Sequence, residues 1–339
     1  MAEEDAFVSS AAARDRDSET EEFEDEAFSD SKSASFSLEP SVTNYPEEHG
    51  RRYHAYRRGR YLLPNDDKEM QRLNLVDALV RHILGGLHLA PIGSNPQRVL
   101  DIGTGSGAWA INFADKYPSA EVVHLSSLIQ SVSFRRLSCP QVIGNDLSPT
   151  QPDDVPPNVR FIVDDVEEDW EYEDHPFDFI HSRYMILAIR DMKHLIQQAF
   201  SCLRPGGWLE VQDFDSRIHS ADGSIRGTCL EHWDNSTMEA FARLGFWTRV
   251  DPQFGTLLHD VGFTNIQMKR FSIPLGNWHE NKRSQQLGEL NAKQLTEVLE
   301  AASLAVLTRS GWTEQAVYAM CAGARNDAQN QKIHAELDL

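Results

Sequence analysis

The stretch from Arg98 to Lys116, RVLDIGTGSGAWAINFADK, constrains this chain more than any other. RVLDIG is a short apolar run that reads as a buried strand, and helical spacing resumes over 106–116. Between them Gly103, Gly105 and Gly107 supply the tight turn, and they let backbone N–H groups approach a ligand at the helix N-terminus. A strand that feeds a glycine turn and a helix is the first half of a βαβ unit. The pattern then recurs. VRFIV (159–163), FDFIHS (177–182) and GWLEVQDF (207–214) read as strands, and a helix over 191–203 runs into the stop signal RPGG. Strands alternating with helices imply right-handed crossovers and a parallel sheet, hence a doubly wound, Rossmann-like α/β fold.

Around that unit the chain divides into three parts. Residues 1–45 are rich in Glu, Asp, Ser and Ala without an apolar face, and are expected to be a disordered acidic tail. Residues 46–97 form an N-terminal lid and helix: RRYHAYRRGRY (51–61) is basic and aromatic, and Met70, Leu73, Val76, Leu79, Val80, Ile83 and Leu87 set a helix over 69–88. Residues 98–339 hold the ligand-binding domain, with a strand at 264–273 and long helices at 283–306 and 313–333. The arginine cluster is read either as a lid or nuclear-import patch, or as cations that lie on the acidic body.

Charge and cysteine usage narrow the function. The net charge is −20, and residues 1–50 carry 15 Asp/Glu against three Lys/Arg, so the remaining body is mildly acidic. Such a surface does not attract nucleic acid, and no direct nucleic-acid or membrane partner is expected. Cys139, Cys202, Cys229 and Cys321 are scattered without metal-type spacing, so no metal is expected either. The opening residues MAEEDAFVSS carry no basic region ahead of an apolar run. The expected location is cytoplasmic or nuclear, not secreted.

Asp101 decides which ligand the glycine turn suits. Gly103, Gly105 and Ala108 also satisfy the dinucleotide pattern G-x-G-x-x-G/A. A pyrophosphate would be repelled by a carboxylate at the strand end, whereas S-adenosylmethionine, with its ammonium and sulfonium, would be attracted. A helix-capping Asp fits the same position. The second anchor, an acid that accepts the ribose hydroxyls, is expected about 20 residues on. Asp146 in VIGND lies 39 residues beyond Gly107, but the 19-residue, Ser-rich, acid-free segment 123–141 intervenes, and removing it restores the spacing. Valine codons begin with GT and a glutamine codon can end in AG, so Val123 and Gln141 are compatible with a retained intron, a surface loop being the alternative. The third anchor is Asp164–Asp165, where a carboxylate can accept the adenine amino group.

DIGTGSGAWAINFADKYPSAEV, VIGNDLSPTQPDDVPPNVRF, VDDVEEDW, FDFIHSR and LRPGGWLEVQDFD resemble the class I S-adenosylmethionine-dependent methyltransferases. With YHAYRRGRYLLPNDDKEMQRL and GNWHENKRSQQLG, the chain is similar to the fungal LaeA-like group, regulators of secondary metabolism and development. The resemblance spans roughly residues 45–335. It implies a cofactor loop at Gly103, Gly105 and Gly107, Asp101 toward the methionine end, Asp146 on ribose, and Asp165 with Val166 flanking adenine. His181, Ser182 and Arg183 would lie where the methyl acceptor approaches, and Tyr53 would belong to the lid.

His181 is the best-placed general base, needed only if the acceptor must lose a proton; a His hydrogen-bonded at a strand end is the plainer alternative. Tyr184, His219 and Asp213 are weaker candidates, and Trp109, Trp208 and Trp233 are expected in the core. The acceptor, a small molecule or a protein, is not named by any pattern. A regulatory role through protein partners, with little or no catalysis, is the other reading. Two departures from the resemblance bear on activity: the insertion interrupts the second strand and could displace Asp146, and IHAELDL is followed by no last hydrophobic strand, which would leave a sheet edge uncovered.

Overall fold

The computed structural model describes residues 6–10, 40–118, 141–172, 175–249 and 254–339. In chain order the elements are β1 (Ala6–Ser10), α1 (Pro40–Thr43), β2 (Glu47–Glu48), β3 (Arg51–Arg52), α2 (Asp67–Leu84), β4 (Arg98–Ile102), α3 (Ala108–Lys116), β5 (Gln141–Asp146), β6 (Val159–Val163) and β7 (Phe177–Arg183). They continue with α4 (Met192–Ser201), β8 (Leu203–Gln212), β9 (Asp215–His219), α5 (Cys229–Arg243), α6 (Phe254–Val261), β10 (Gln267–Lys269), β11 (Ser272–Pro274), α7 (Lys282–Arg309), α8 (Glu314–Ala328) and β12 (Glu336–Asp338).

The main sheet has the order β10-β1-β8-β7-β4-β5-β6, and its five strands from β8 to β6 are parallel. This is the doubly wound arrangement the alternating pattern implies. Because side chains alternate along a strand, Val99, Val142 and Phe179 enter one core with Trp109 and Phe113, while Leu100, Ile143 and Ile180 enter another with Leu195 and Ile196. Both faces of the parallel sheet are therefore sealed.

A third core stands beside the sheet. It joins α2, α5, α7 and α8 to a small antiparallel sheet of order β11-β12-β9. Trp233 is buried there, with its indole N–H donating to Ser303 Oγ at 2.7 Å and Leu299 O at 3.2 Å. Helix α2 starts where the Asp66 carboxylate accepts from Glu69 N–H, and it ends at Gly85 in the left-handed region (φ 69°). Among the described residues no helix is long and apolar enough to cross a membrane.

Several sequence expectations are corrected. Residues 6–10 of the supposedly disordered tail form a strand, and 40–43 a short helix; residues 1–5 and 11–39 lie outside the described residues. The run 264–273 is not one strand: β10 belongs to the main sheet and β11 to the small one, and the chain changes sheets between them. The edge expected to be bare is not bare, because β1 pairs antiparallel with both β8 and β10. The terminal IHAELDL itself supplies β12, which pairs with β9 and β11 and buries Leu337 and Leu339. Strand β8 begins at Leu203, so RPGG lies inside the strand, with a register shift against β7 between Phe177 and Phe179.

Residues 123–140 of the inserted segment lie outside the described residues. From Gln141 the strand β5 pairs in continuous register with β4 and from Val142 with β6. Asp146 is therefore not displaced from its strand end.

Candidate functional site

The C-terminal ends of β4, β5, β6 and β7 open into one cavity with about 1070 Å³ of unfilled space. The switch in strand direction of travel at β4 is where a parallel sheet leaves such a crevice. Gly103, Gly105 and Gly107 all have positive φ (62°, 57° and 78°). At Gly103 a Cβ would also strike the Met185 Sδ. Gly103→Ala combines that clash with left-handed strain of roughly 1–2 kcal/mol, so cofactor affinity should fall about tenfold by calorimetric titration. Unchanged affinity would mean that the loop does not approach the ligand.

Asp146 closes the loop from the next strand. Its Oδ2 accepts from Gly105 N–H at 2.9 Å and its Oδ1 from Ser148 N–H at 3.1 Å. Burial pushes this carboxyl up to about 6, although backbone donors pull it down. Hydroxyl groups are bound best by the ionised form, so affinity for a ribose-bearing ligand should weaken as the pH drops below about 6, with the inflection near that value in the free protein. Affinity constant from pH 5 to 8 would dissociate Asp146 from ligand binding. The raised pKa also has a sign for folding: this group adds stability below its unfolded value and loses it as the pH rises toward about 6.

Asp101 and His181 form a buried pair. Asp101 Oδ1 lies 2.7 Å from His181 Nδ1, and Oδ2 accepts from Thr104 Oγ1 at 2.7 Å. An ionised carboxylate only accepts, so the Nδ1 carries the proton. The His181 ring stacks on Trp109 at 3.7 Å with planes 2° apart, and is fully buried. Those contacts fix the orientation of the ring, as the hydrogen-bonded alternative expects, and His181 also lines the cavity. Its Nε2 has no partner.

Asp165, on the turn after β6, is buried, accepts from Glu167 N–H at 3.1 Å, and lies 3.3 Å from Arg60 Nε. Val166 beside it is buried in the cavity wall, and the neighbouring Asp164 carboxyl is raised by burial. The three sequence anchors Asp101, Asp146 and Asp165 thus converge on one cavity with Val166 and the glycines.

The lid supplies residues that sequence reasoning missed. Tyr53 is buried in the third core; His54 and Tyr61 line the cavity instead. His54 Nδ1 meets Ser148 Oγ at 2.8 Å, and Asn65 Nδ2 donates to the same hydroxyl at 2.9 Å, so the lid is tied to the turn after Asp146. Burial holds the His54 imidazole down at about 4, so it is neutral at physiological pH. The arginines of the basic cluster lie on carboxylates: Arg51 on Asp66, Arg57 on Glu168, Arg58 on Glu48, and Arg60 on Asp165 and Glu167. This is the second of the two readings of the cluster, cations lying on acidic partners; only the fold shows that Arg57 and Arg60 reach Glu168, Asp165 and Glu167.

The remaining candidates separate. Tyr184 sits in the left-handed region (φ 59°), held by its N–H to Gln212 O at 3.1 Å and by Met185 N–H to Asp213 Oδ2 at 2.8 Å. Asp213 therefore shapes the turn; burial pushes it up to about 7. His219 pairs with Asp338 in the small sheet. Trp109 and Trp233 are buried and Trp208 is partly buried. Beneath the cavity floor Arg72 and Glu69 form a buried ion pair at 2.6 Å. Arg72 also stands 5.0 Å from the Tyr184 ring centroid. Among the described residues no cluster could hold a metal.

The chain is similar to several known proteins. The Aspergillus terreus protein named "Methyltransferase pytC" is 38% identical over 313 residues, covering 91% of this chain and 90% of that one. "Protein-methionine methyltransferase laeA" of Emericella nidulans is 31% identical, covering 91% and 78%, and "Secondary metabolism regulator laeA" of Aspergillus fumigatus is 31% identical, covering 86% and 74%. Among solved structures, a Haemonchus contortus phosphoethanolamine N-methyltransferase 2 complex is 18% identical with a TM-score of 0.42, and this chain matches about half (51%) of its length. The sequence model of the family described as "Methyltransferase domain" matches residues 76–268, from α2 through the glycine loop to β10, and the chain belongs to that methyltransferase family.

Proposed function

We propose that this protein binds S-adenosylmethionine in the cavity at the glycine loop and transfers its methyl group to an acceptor in fungal secondary metabolism. The observation that carries the reading is the charge of the cavity wall. Seven carboxylates line it against two arginines, and both arginines are already paired with acids. Such a wall favours a ligand with two cationic centres and disfavours a pyrophosphate, which weighs against a nicotinamide dinucleotide. Asp146 would hold the ribose hydroxyls, Asp164–Asp165 and Val166 the adenine, and Asp101 with the Gly103 turn the methionine end. When bound, the cofactor supplies a methyl group activated on sulfur.

The protein's own contribution is alignment and exclusion of water. His54, Tyr61 and Pro64 of the lid cover the cavity, while Tyr184 and Met185 face it from the turn after β7. The links between His54, Asn65 and Ser148 close the lid onto the strand end that carries Asp146.

The pytC relative's name supports catalysis, and the regulator names of the laeA relatives support a link to secondary metabolism. A role exerted through protein partners in the cytoplasm or nucleus is a second reading, favoured by those regulator names. The test is titration of S-adenosylmethionine, with NAD as control, into the full chain and into one lacking 123–141, followed by labelled methyl transfer. We expect both forms to bind S-adenosylmethionine alike, since β5 carries Asp146 in register, and neither to bind NAD. Binding of NAD in preference would overturn the reading. Cofactor binding without any methyl transfer to cell extract would favour the partner reading.

A further inference from the structure

A second pocket lies behind the first. Tyr61 and Tyr184 line both, so these two rings form the partition between them. Beyond the partition the wall is made by the third core, with Trp233, Met238, Val298 and Ala302 facing the space. These four residues are all buried, so this wall of the pocket lies within the third core.

Two polar side chains, Gln294 and Asp234, interrupt this apolar lining, and Gln294 is already bonded to Arg72 and Asn291. Asp234 of α5 is 4% exposed and faces the chamber. Its Oδ2 accepts from Ile218 N–H at 3.3 Å, but its Oδ1 has no partner. Buried polar atoms are nearly always satisfied, so an orphaned carboxylate oxygen on an apolar cavity needs an explanation. Burial pushes this carboxyl up to about 7, so at neutral pH it stands ready to accept, and shares, a proton from a bound donor. A mostly apolar pocket with a few convergent polar groups is also the usual form of a small-molecule site.

We infer that this chamber is the acceptor pocket, and that it takes a largely apolar small molecule whose hydroxyl or amine donates to Asp234 Oδ1. The inference rests on the methyltransferase reading above for the word acceptor, and on the chamber alone for binding. The molecule lies in the third core with one end at the Tyr61–Tyr184 partition, next to the glycine loop. A pocket walled by Trp233, Met238, Val298 and Ala302 of the core suits a compact apolar molecule better than a folded protein surface, which sets a small-molecule acceptor ahead of a protein one. Asp234 is a binding residue here and is remote from the Asp101–Asp146 anchors in the main sheet.

The test uses 2-naphthol as a donor-bearing apolar probe and 2-methoxynaphthalene as its donor-less analogue, each titrated calorimetrically into the full chain. S-adenosylmethionine titration accompanies every variant. The unmodified protein should bind 2-naphthol at least tenfold more tightly than the ether. Val298→Phe should weaken both probes at least tenfold while S-adenosylmethionine affinity stays within twofold. Asp234→Leu, or Asp234→Asn should the leucine variant not fold, should shrink the naphthol preference to threefold or less. Failure of both probes to bind, or binding indifferent to Val298→Phe, overturns the pocket. Equal affinity for the two probes in the unmodified protein overturns the role of Asp234. Should the probes behave as expected while no form binds S-adenosylmethionine, the pocket stands and the methyltransferase reading falls.

Discussion

Replacing Asp146 with alanine will weaken S-adenosylmethionine binding by more than a hundredfold and abolish methyl transfer, while the protein remains folded. Each hydrogen bond from a ligand to a charged group contributes about 1.5–3 kcal/mol. Two ribose hydroxyls therefore account for at least about 3 kcal/mol, or roughly a hundredfold in Kd. A second loss follows from geometry, because the same carboxylate accepts from Gly105 N–H and Ser148 N–H and so sets the glycine loop against the turn that anchors the lid. Folding survives because this carboxyl is already disfavoured by burial above pH of about 6, as its raised pKa records. Asp146→Asn keeps the shape and one neutral acceptor, and should lose about tenfold. Calorimetry on both variants, with thermal melting as the control for folding, checks the claim. Affinity within threefold of the unmodified protein in Asp146→Ala would place the ribose elsewhere.

Arg72→Ala should be the most destabilising single substitution at the site, costing about 3–5 kcal/mol in urea unfolding. Arg72 and Glu69 are 1% and 2% exposed, so removing the guanidinium leaves a buried carboxylate without its counter-charge. The guanidinium also reaches Tyr184 Oη and Gln294 Oε1, each at 3.4 Å, and so joins α2 to the partition and to α7. Glu69→Gln with Arg72→Met removes both charges and fills similar volume, and should restore most of the loss. A single variant no less stable than the double one would show that the pair is not what holds these elements together.

How much of this was legible beforehand differs element by element. The strand–glycine turn–helix at 98–116 and the strands at 159–163 and 177–183 were readable because apolar runs and glycine turns act within a few residues. The position of Asp146 at the end of β5 was legible across a long insertion because an acid at the second strand end keeps its spacing along a βαβ unit. Residues 264–273 were misread as one strand, since local β propensity does not say which sheet a strand joins. The strand at 6–10 is not legible for a related reason: its pairing with β8 spans about 200 residues and that with β10 about 260, and no local pattern announces either.

The sequence by itself determined the class of fold and the glycine loop, and marked Asp101, Asp146 and Asp165 as acids near strand ends, because periodicity, turn residues and strand spacing act over short range. Tertiary structure alone decided what surrounds them. It turned His181 toward Asp101 and Trp109, placed His54 and not Tyr53 over the cavity, and chose Glu168 for Arg57 and Asp165 with Glu167 for Arg60. It also enclosed Asp234 in an apolar chamber behind Tyr61 and Tyr184. The physical reason is the range of the interactions: propensity and turns act between neighbours in the chain, whereas desolvation and charge pairing depend on which distant segments are packed together.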